Sequence, residues 1–340
     1  MNKTIINMFA GAALVLPAFA ISQDVPASRP AENVSIDKKA AESKPAAKKA
    51  PPNIYDEKAD ATQQIAGALK KAKEENRRVL IQWGANWCGW CHLLHDVFKK
   101  DKNVARELLY EYSVVLVDIG KLDKNMELAE KYNADLKKSG VPYLTILDAS
   151  GKVLANEETT PLEAKTSDGK NGHDAVKVLN LLKGHRAEAL NADVVFQEAL
   201  SLAKKEDKAL FLKFGAPWCG YCHILDDWMK RPEVAAILTK DFVTTKVDVD
   251  RMTGGNELLQ KYCKAGGGLP QFVFLTKDGG MIADSNGPKG NVGCPLEPDE
   301  IAWFQEMVKK AKVKITDADI AEMGRTLAEE KEKLSKKAPR

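Results

Sequence analysis

The sequence predicts two α/β domains in tandem, each a central mixed β-sheet flanked by helices. Three observations carry this. Aligning Cys88 with Cys219 exposes an internal repeat with a spacing of 131 residues. In each copy, helix-type segments alternate with short β-branched or apolar segments, and a hairpin follows, which implies a mixed sheet covered on both sides. The run before each aligned Cys is apolar without alternation, as in a central strand buried on both faces.

The chain has 340 residues, which at roughly 150 per domain suggests about two domains. Hydrophobic content of 44% suffices for two ordinary cores. The net charge is +3, and no basic run is interleaved with aromatics, so nucleic-acid binding is not expected.

Residues 1–20 read as a leader. Lys3 is followed by a mostly apolar run over 5–16, too short to span a bilayer comfortably, then by Ala18-Phe19-Ala20. A cleaved secretory signal is expected, placing the mature chain in the periplasm or outside the cell. It is not expected to be an integral membrane protein after cleavage. Residues 21–54 are rich in Ala, Lys, Pro, Ser and Glu without apolar periodicity, and read as a disordered linker.

The first domain is assigned to 55–188. An amphipathic segment at 62–76 leads into Val79-Leu-Ile-Gln-Trp-Gly-Ala-Asn-Trp-Cys88-Gly-Trp-Cys91-His92. A charged helical stretch and a strand at 113–119 follow, with Asp118 near its end, and Lys131-Tyr132 closes a further helix. Gly140-Val141-Pro142 opens a strand, a turn spans 148–151, and a helix at 174–183 stops at Gly184. The second domain, 190–313, repeats the plan. Residues 192–207 lead into Leu210-Phe-Leu-Lys-Phe-Gly-Ala-Pro-Trp-Cys219-Gly-Tyr-Cys222-His223. A strand at 242–249, Lys261-Tyr262, Gly268-Leu269-Pro270 and a helix at 297–312 complete it, and 314–340 reads as a charged C-terminal helical tail.

Four of the six cysteines form two x-x spaced pairs, a spacing suited to redox switching, metal binding or haem attachment. Each copy resembles a thioredoxin-fold domain, and the pair resembles tandem thioredoxin-like exported thiol-disulfide oxidoreductases of bacteria. The resemblance rests on strand, Trp-Cys-Gly-aromatic-Cys, helix, and a later strand opened by Pro. It implies that Cys88 and Cys219 are nucleophiles and that Cys91 and Cys222 resolve the mixed disulfide. It further implies that Val141-Pro142 and Leu269-Pro270 are cis, and that Trp87, Val141, Pro142, Trp218, Leu269 and Pro270 meet substrate. The physical basis is a thiolate favoured by the unpaired N–H groups of a helix start. Protein disulfides are the implied substrates and a membrane electron donor a possible partner, with the reducing or interchange direction favoured.

Two departures matter. Thioredoxins carry a buried acid six residues before the first Cys, where this chain has Gln82 and Lys213. Lys213 either favours a thiolate or is a solvated strand residue, and the sequence leaves both open. The Pro of thioredoxin between the cysteines is replaced by Gly-Trp and Gly-Tyr, so the strongly reducing potential of thioredoxin need not carry over and the direction of electron flow stays open.

Three other readings compete. Both motifs spell C-x-x-C-H, the c-type haem pattern, but neither the preceding buried strand nor the later strand-opening Pro belongs to it. A redox-inert binding scaffold would need none of the four cysteines. His95 follows Cys91 by four, but Asp226 stands there in the second copy, so neither metal nor other cofactor is expected. His92 and His223 read as helix-surface residues, with general acid–base help to the cysteines as the alternative. Cys263 and Cys294 have no counterparts in the first copy and are expected to form a structural disulfide, with a third redox pair or free thiols as alternatives.

Overall fold

A computed structural model describes residues 52–337 apart from 167 and 264–266. The leader and nearly all of the linker therefore lie outside the described residues. In the first half, α1 (Ala61–Glu74) precedes β1 (Arg78–Gly84), α2 (Gly89–Lys100), α3 (Lys102–Glu111) and β2 (Tyr112–Asp118). There follow α4 (Met126–Lys131), α5 (Leu136–Ser139), β3 (Tyr143–Leu147), β4 (Val153–Glu158), a hairpin of β5 (Glu163–Lys165) and β6 (Asn171–His173), and α6 (Ala175–Gly184). The second half has α7 (Ala192–Glu206), β7 (Ala209–Gly215), α8 (Gly220–Met229), α9 (Pro232–Asp241), β8 (Phe242–Asp248), α10 (Gly255–Tyr262), β9 (Gln271–Leu275) and β10 (Met281–Asp284). A short hairpin of β11 (Asn286–Gly287) and β12 (Gly290–Asn291) leads to α11 (Pro298–Ala311) and α12 (Asp317–Lys337).

Side-chain caps set several helix starts. Asp60, Asp101, Asp174 and Asn191 each accept from the backbone of the first turn that follows. α11 begins with a Glu297–Glu300 capping box and Pro298 in its first turn.

Each half holds one four-stranded mixed sheet, ordered β2-β1-β3-β4 and β10-β9-β7-β8. β1 runs parallel to β2 and antiparallel to β3, and β7 stands in the same relation to β8 and β9. The two-residue period of a strand splits β1 between two cores. Val79, Ile81 and Trp83 join the core under α1, while Leu80 joins the one under α2 and α6. Likewise Leu210, Leu212 and Phe214 face the core under α7, and Phe211 the core under α8 and α11. Gln82 and Lys213 share the parity of Leu80 and Phe211, so both point beneath the helix that carries the cysteine pair. Lys213 is thus the buried alternative of the two left open by the sequence.

The same two-faced sheet overturns the expected Cys263–Cys294 disulfide. Both are free and buried. Cys263, ending α10, packs with Phe196, Leu212 and Val273, whereas Cys294 packs with Phe272 and Phe304 on the opposite face. A sheet lies between them, so the sulfurs cannot meet. Burial, aided by Asp284 and Glu300 respectively, pushes each thiol up to about 12, where it is inert at neutral pH.

The segment read as a charged tail forms α12 and completes the second core. Ile320, Met323 and Leu327 pack beside Phe304, and Thr326 accepts from the Trp228 indole at 3.0 Å. Its charge lies on the other face, where Arg231 bridges to Glu329 and Glu330. The sequence shows mainly the charge of this segment, and only the packed partner reveals its apolar face.

Between the halves, Arg251 donates to the Glu75 and Asn76 carbonyls, both at 2.7 Å, and pairs with Glu111 at 2.9 Å. Lys230 pairs with Glu74.

Candidate active sites

Both cysteine pairs sit where a central strand turns into a helix. β1 ends at Gly84, and Cys88 is the N-cap of α2; β7 ends at Gly215, and Cys219 is the N-cap of α8. The pairs are joined as Cys88–Cys91 and Cys219–Cys222, with Cα separations of 5.3 and 5.2 Å. The first sulfur in each does the work that Ser or Asp does at other helix starts. Cys88 Sγ accepts from the Cys91 N–H, and Cys219 Sγ from the Cys222 N–H, both at 3.1 Å. After reduction that bond becomes charge-assisted and favours a thiolate on the first cysteine.

β3 and β9 bring the predicted prolines to the same end of each sheet. Trp83 pairs with Tyr143, and Phe214 with Gln271, so Pro142 and Pro270 lie beside the strand ends that lead to the cysteines. Val141–Pro142 and Leu269–Pro270 are cis. The Val141 carbonyl oxygen is 3.6 Å from Cys88 Sγ. Trp87 and Trp218 are 59% and 56% exposed, and Tyr221 60%, beside disulfides that are almost wholly buried. Each tryptophan is tethered by its indole N–H, Trp87 to the Gly120 carbonyl and Trp218 to Asp250. Asp250 also accepts from Tyr110 of the first half, so site 2 is braced by its neighbour domain.

The sequence reads His92 and His223 as helix-surface residues and gives Asn86 no role, whereas the structure builds all three into the loops ahead of the cysteines. His92 and His223 are part-buried, and each Nε2 lies 2.8 or 2.9 Å from the carbonyl of Asn86 or Pro217. A carbonyl only accepts, so Nε2 carries the proton and pins the loop ahead of the first cysteine. The C-x-x-C-H pattern was the available signal. Asn86 clasps the incoming chain: its Oδ1 accepts from the Ile54 and Tyr55 N–H groups, and its Nδ2 donates to the Tyr55 carbonyl. The second copy has Pro217 at that position and no such clasp can form there.

Behind the second cysteine the sites differ in charge. At site 1, Gln82 is fully buried and donates to the Tyr55 hydroxyl at 2.7 Å and to the Cys91 carbonyl at 3.3 Å. At site 2, Lys213 and Lys246 both grip Asp226, at 2.5 and 2.6 Å. Burial pulls the Lys213 ammonium down against the attraction of Asp226. Burial also opposes ionisation of Asp226, but Lys213 and Lys246 outweigh it and hold the carboxyl below its usual range. A β-carbon at Gly215 would lie 3.1 Å from Cys222 Sγ and 3.3 Å from Lys246 Cε, so the Lys246 end of this cluster lies near the resolving sulfur.

His173 of β6 meets Trp90 edge-on, with ring centroids 5.5 Å apart, and neither ring nitrogen has a hydrogen-bond partner. Burial lowers its pKa to about 4. The folded chain therefore holds His173 neutral where the unfolded chain protonates it. Stability should be flat above pH ~6.5 and fall by about 3 kcal/mol as pH drops towards 4. Denaturant titrations of the wild type and His173→Phe across that window check this; equal acid slopes would count against it.

Comparison with known families agrees with this architecture. The profile described as "Thioredoxin-like" matches residues 60–149, and that described as "Protein of unknown function, DUF255" (Thioredox_DsbH) matches 177–290. The first half thus matches a thioredoxin-like model and the second a DsbH-type one, in keeping with a thioredoxin fold in each half. Among curated relatives, this thioredoxin-fold chain is 34% identical over 84 residues to human spermatogenesis-associated protein 20, covering 24% of the chain and 11% of the relative. It is 25% identical over 229 residues to protein disulfide-isomerase erp38 of Neurospora crassa, covering 63% of the chain and 54% of the relative. The chain thus spans about a tenth and about half of these relatives' lengths. A solved disulphide isomerase from Xylella fastidiosa is 27% identical with a TM-score of 0.34, covering 38% of this chain and 95% of that one.

Proposed function

We propose that the chain exchanges thiols and disulfides on protein substrates through two centres, in the reducing or interchange direction. The observation that carries this is the pair of helix-capping sulfurs, Cys88 and Cys219, each beside a bonded partner and an exposed tryptophan. The Cys88 or Cys219 thiolate attacks a substrate sulfur, and the other substrate sulfur leaves as a thiolate. Cys91 or Cys222, deprotonated, then attacks the first cysteine and forms the intrachain disulfide, while the second substrate sulfur leaves with the electron pair. The enzyme ends oxidised and the substrate reduced, so continued reduction needs a dithiol donor.

Two centres on one chain, and curated relatives named protein disulfide-isomerase, support interchange as well as reduction. The exposed Trp87, Trp218 and Tyr221 give an apolar landing surface for an unfolded or extended chain. Turnover of insulin disulfides with dithiothreitol as donor tests the activity, and recovery of native pairing in scrambled ribonuclease tests interchange. No acceleration of either by the full chain would remove the reading.

The reading includes export to the periplasm or beyond, supported by Lys3, the apolar run and Ala18-Phe19-Ala20. A membrane-bound dithiol carrier would then be the electron donor. Among the described residues no helix is long and apolar enough to cross a membrane. The mature N-terminus should begin at or near Ile21, read by terminal sequencing; soluble cytoplasmic protein retaining Met1 would argue against export.

A further inference from the structure

Site 1 has no buried charge on the strand beneath its helix, and the sequence places only Gln82 there. The structure fills the space from outside the cysteine motif. Tyr55, 3% exposed, forms a small cluster with Cys88 and Cys91, bordered by Trp90, Leu116 and Val141. A β-carbon at Gly84 would sit 2.6 Å from Cys91 Sγ and nearer still to the Tyr55 hydroxyl. The hydroxyl and the resolving sulfur therefore flank one point on either side of Gly84, a space that any larger residue would fill. The hydroxyl accepts from Gln82 Nε2, which leaves its own proton to donate. The ring is held by the Asn86 clasp on either side of its backbone, and Lys124 ties the next turn of chain through the Glu57 carbonyl.

We propose that the Tyr55 hydroxyl is the hydrogen-bond donor that receives the Cys91 thiolate at site 1. This rests on the oxidoreductase reading above. When a substrate thiolate attacks Cys88 Sγ, the Cys88–substrate bond forms and the Cys88–Cys91 bond breaks. The electron pair, and with it the negative charge, passes to Cys91 Sγ. That sulfur is wholly buried, where an unpaired thiolate is costly. Tyr55 supplies a neutral donor in the same buried cluster, and burial keeps the phenol protonated throughout. Site 2 meets the same need with charge, through Lys246 and the Lys213–Asp226 pair. The second copy has Arg186 at the position equivalent to Tyr55, so the device belongs to site 1 alone.

The test uses the full chain with Cys219→Ser and Cys222→Ser, so that site 1 alone exchanges. Its equilibrium with glutathione is measured from pH 5.5 to 9.5, with and without Tyr55→Phe. The two curves should coincide at the acid end and separate as Cys91 ionises. The phenylalanine variant should become up to about tenfold harder to reduce, or about 30 mV more negative. Reduction by dithiothreitol should slow in step, because Cys91 is then a poorer leaving group. Asp118 with Lys124, His92, His95 and His173 also surround the site, but they are common to both proteins and drop out of the difference. Asn86→Ala, which keeps the phenol but frees its backbone, should reproduce part of the separation. Coincident curves, or an offset equal at every pH, would overturn the role of Tyr55 and leave the oxidoreductase reading standing. A site-1 disulfide that does not exchange with glutathione in either protein would overturn both.

Discussion

Replacing Cys91 and Cys222 together by serine should leave covalent mixed disulfides between this chain and its protein substrates. The first sulfur of each pair still attacks, since its helix start and the 3.1 Å N–H contact remain in place. Release is what fails, because the sulfur that displaces the substrate is gone. The opposite double replacement, Cys88→Ser with Cys219→Ser, should trap nothing and reduce insulin turnover to below about 1% of wild type. Acid-quenched, non-reducing electrophoresis reads the adducts, and turbidity reads the turnover. Adducts held through Cys91 or Cys222 would reverse the roles. Undiminished turnover without both first cysteines would leave a binding scaffold in place of an enzyme.

Asp226→Ala should be the most destabilising single change in the second domain, by about 3–5 kcal/mol. Asp226 is the shared anion of Lys213 and Lys246, and the Lys213 side chain is only 9% exposed. Removing the carboxylate leaves a buried ammonium with nothing to neutralise it, beneath a helix it cannot leave. The change is read as a shift in the urea midpoint of the second-domain transition. Lys213→Gln with Asp226→His should recover much of the loss, because the first domain carries Gln82 and His95 at those two positions. A midpoint for Asp226→Ala within error of wild type would show that the cluster is solvated and carries no such energy.

The fold was legible because its signals are local and duplicated. The apolar runs at 79–81 and 210–212, the helix starts at the cysteines, and the strand-opening prolines each appear twice. Two copies that agree at fixed spacing remove most of the ambiguity of either alone. The sites were legible only in their sulfur chemistry. Asp226 was visible merely as the residue standing where His95 does, and Tyr55 as the first residue of a domain. Neither belongs to a motif, since Asp226 finds its lysines on two neighbouring strands and Tyr55 is held by a clasp 31 residues away on Asn86.

What the sequence by itself determined is the pattern of alternating elements, the two Cys-x-x-Cys helix starts and the absence of the usual acid before each. Those features depend on neighbours within a turn or a strand, so spacing is enough to read them. What only the tertiary structure decided is which side of a sheet each residue occupies. That choice buried Lys213 against Asp226 and brought Tyr55 beside Cys91. It also set Cys263 and Cys294 apart, although an even number of cysteines suggested a bridge. Side-chain polarity gives the period of a strand but not the partner on each face, and it is the partner that fixes charge, proton and bond.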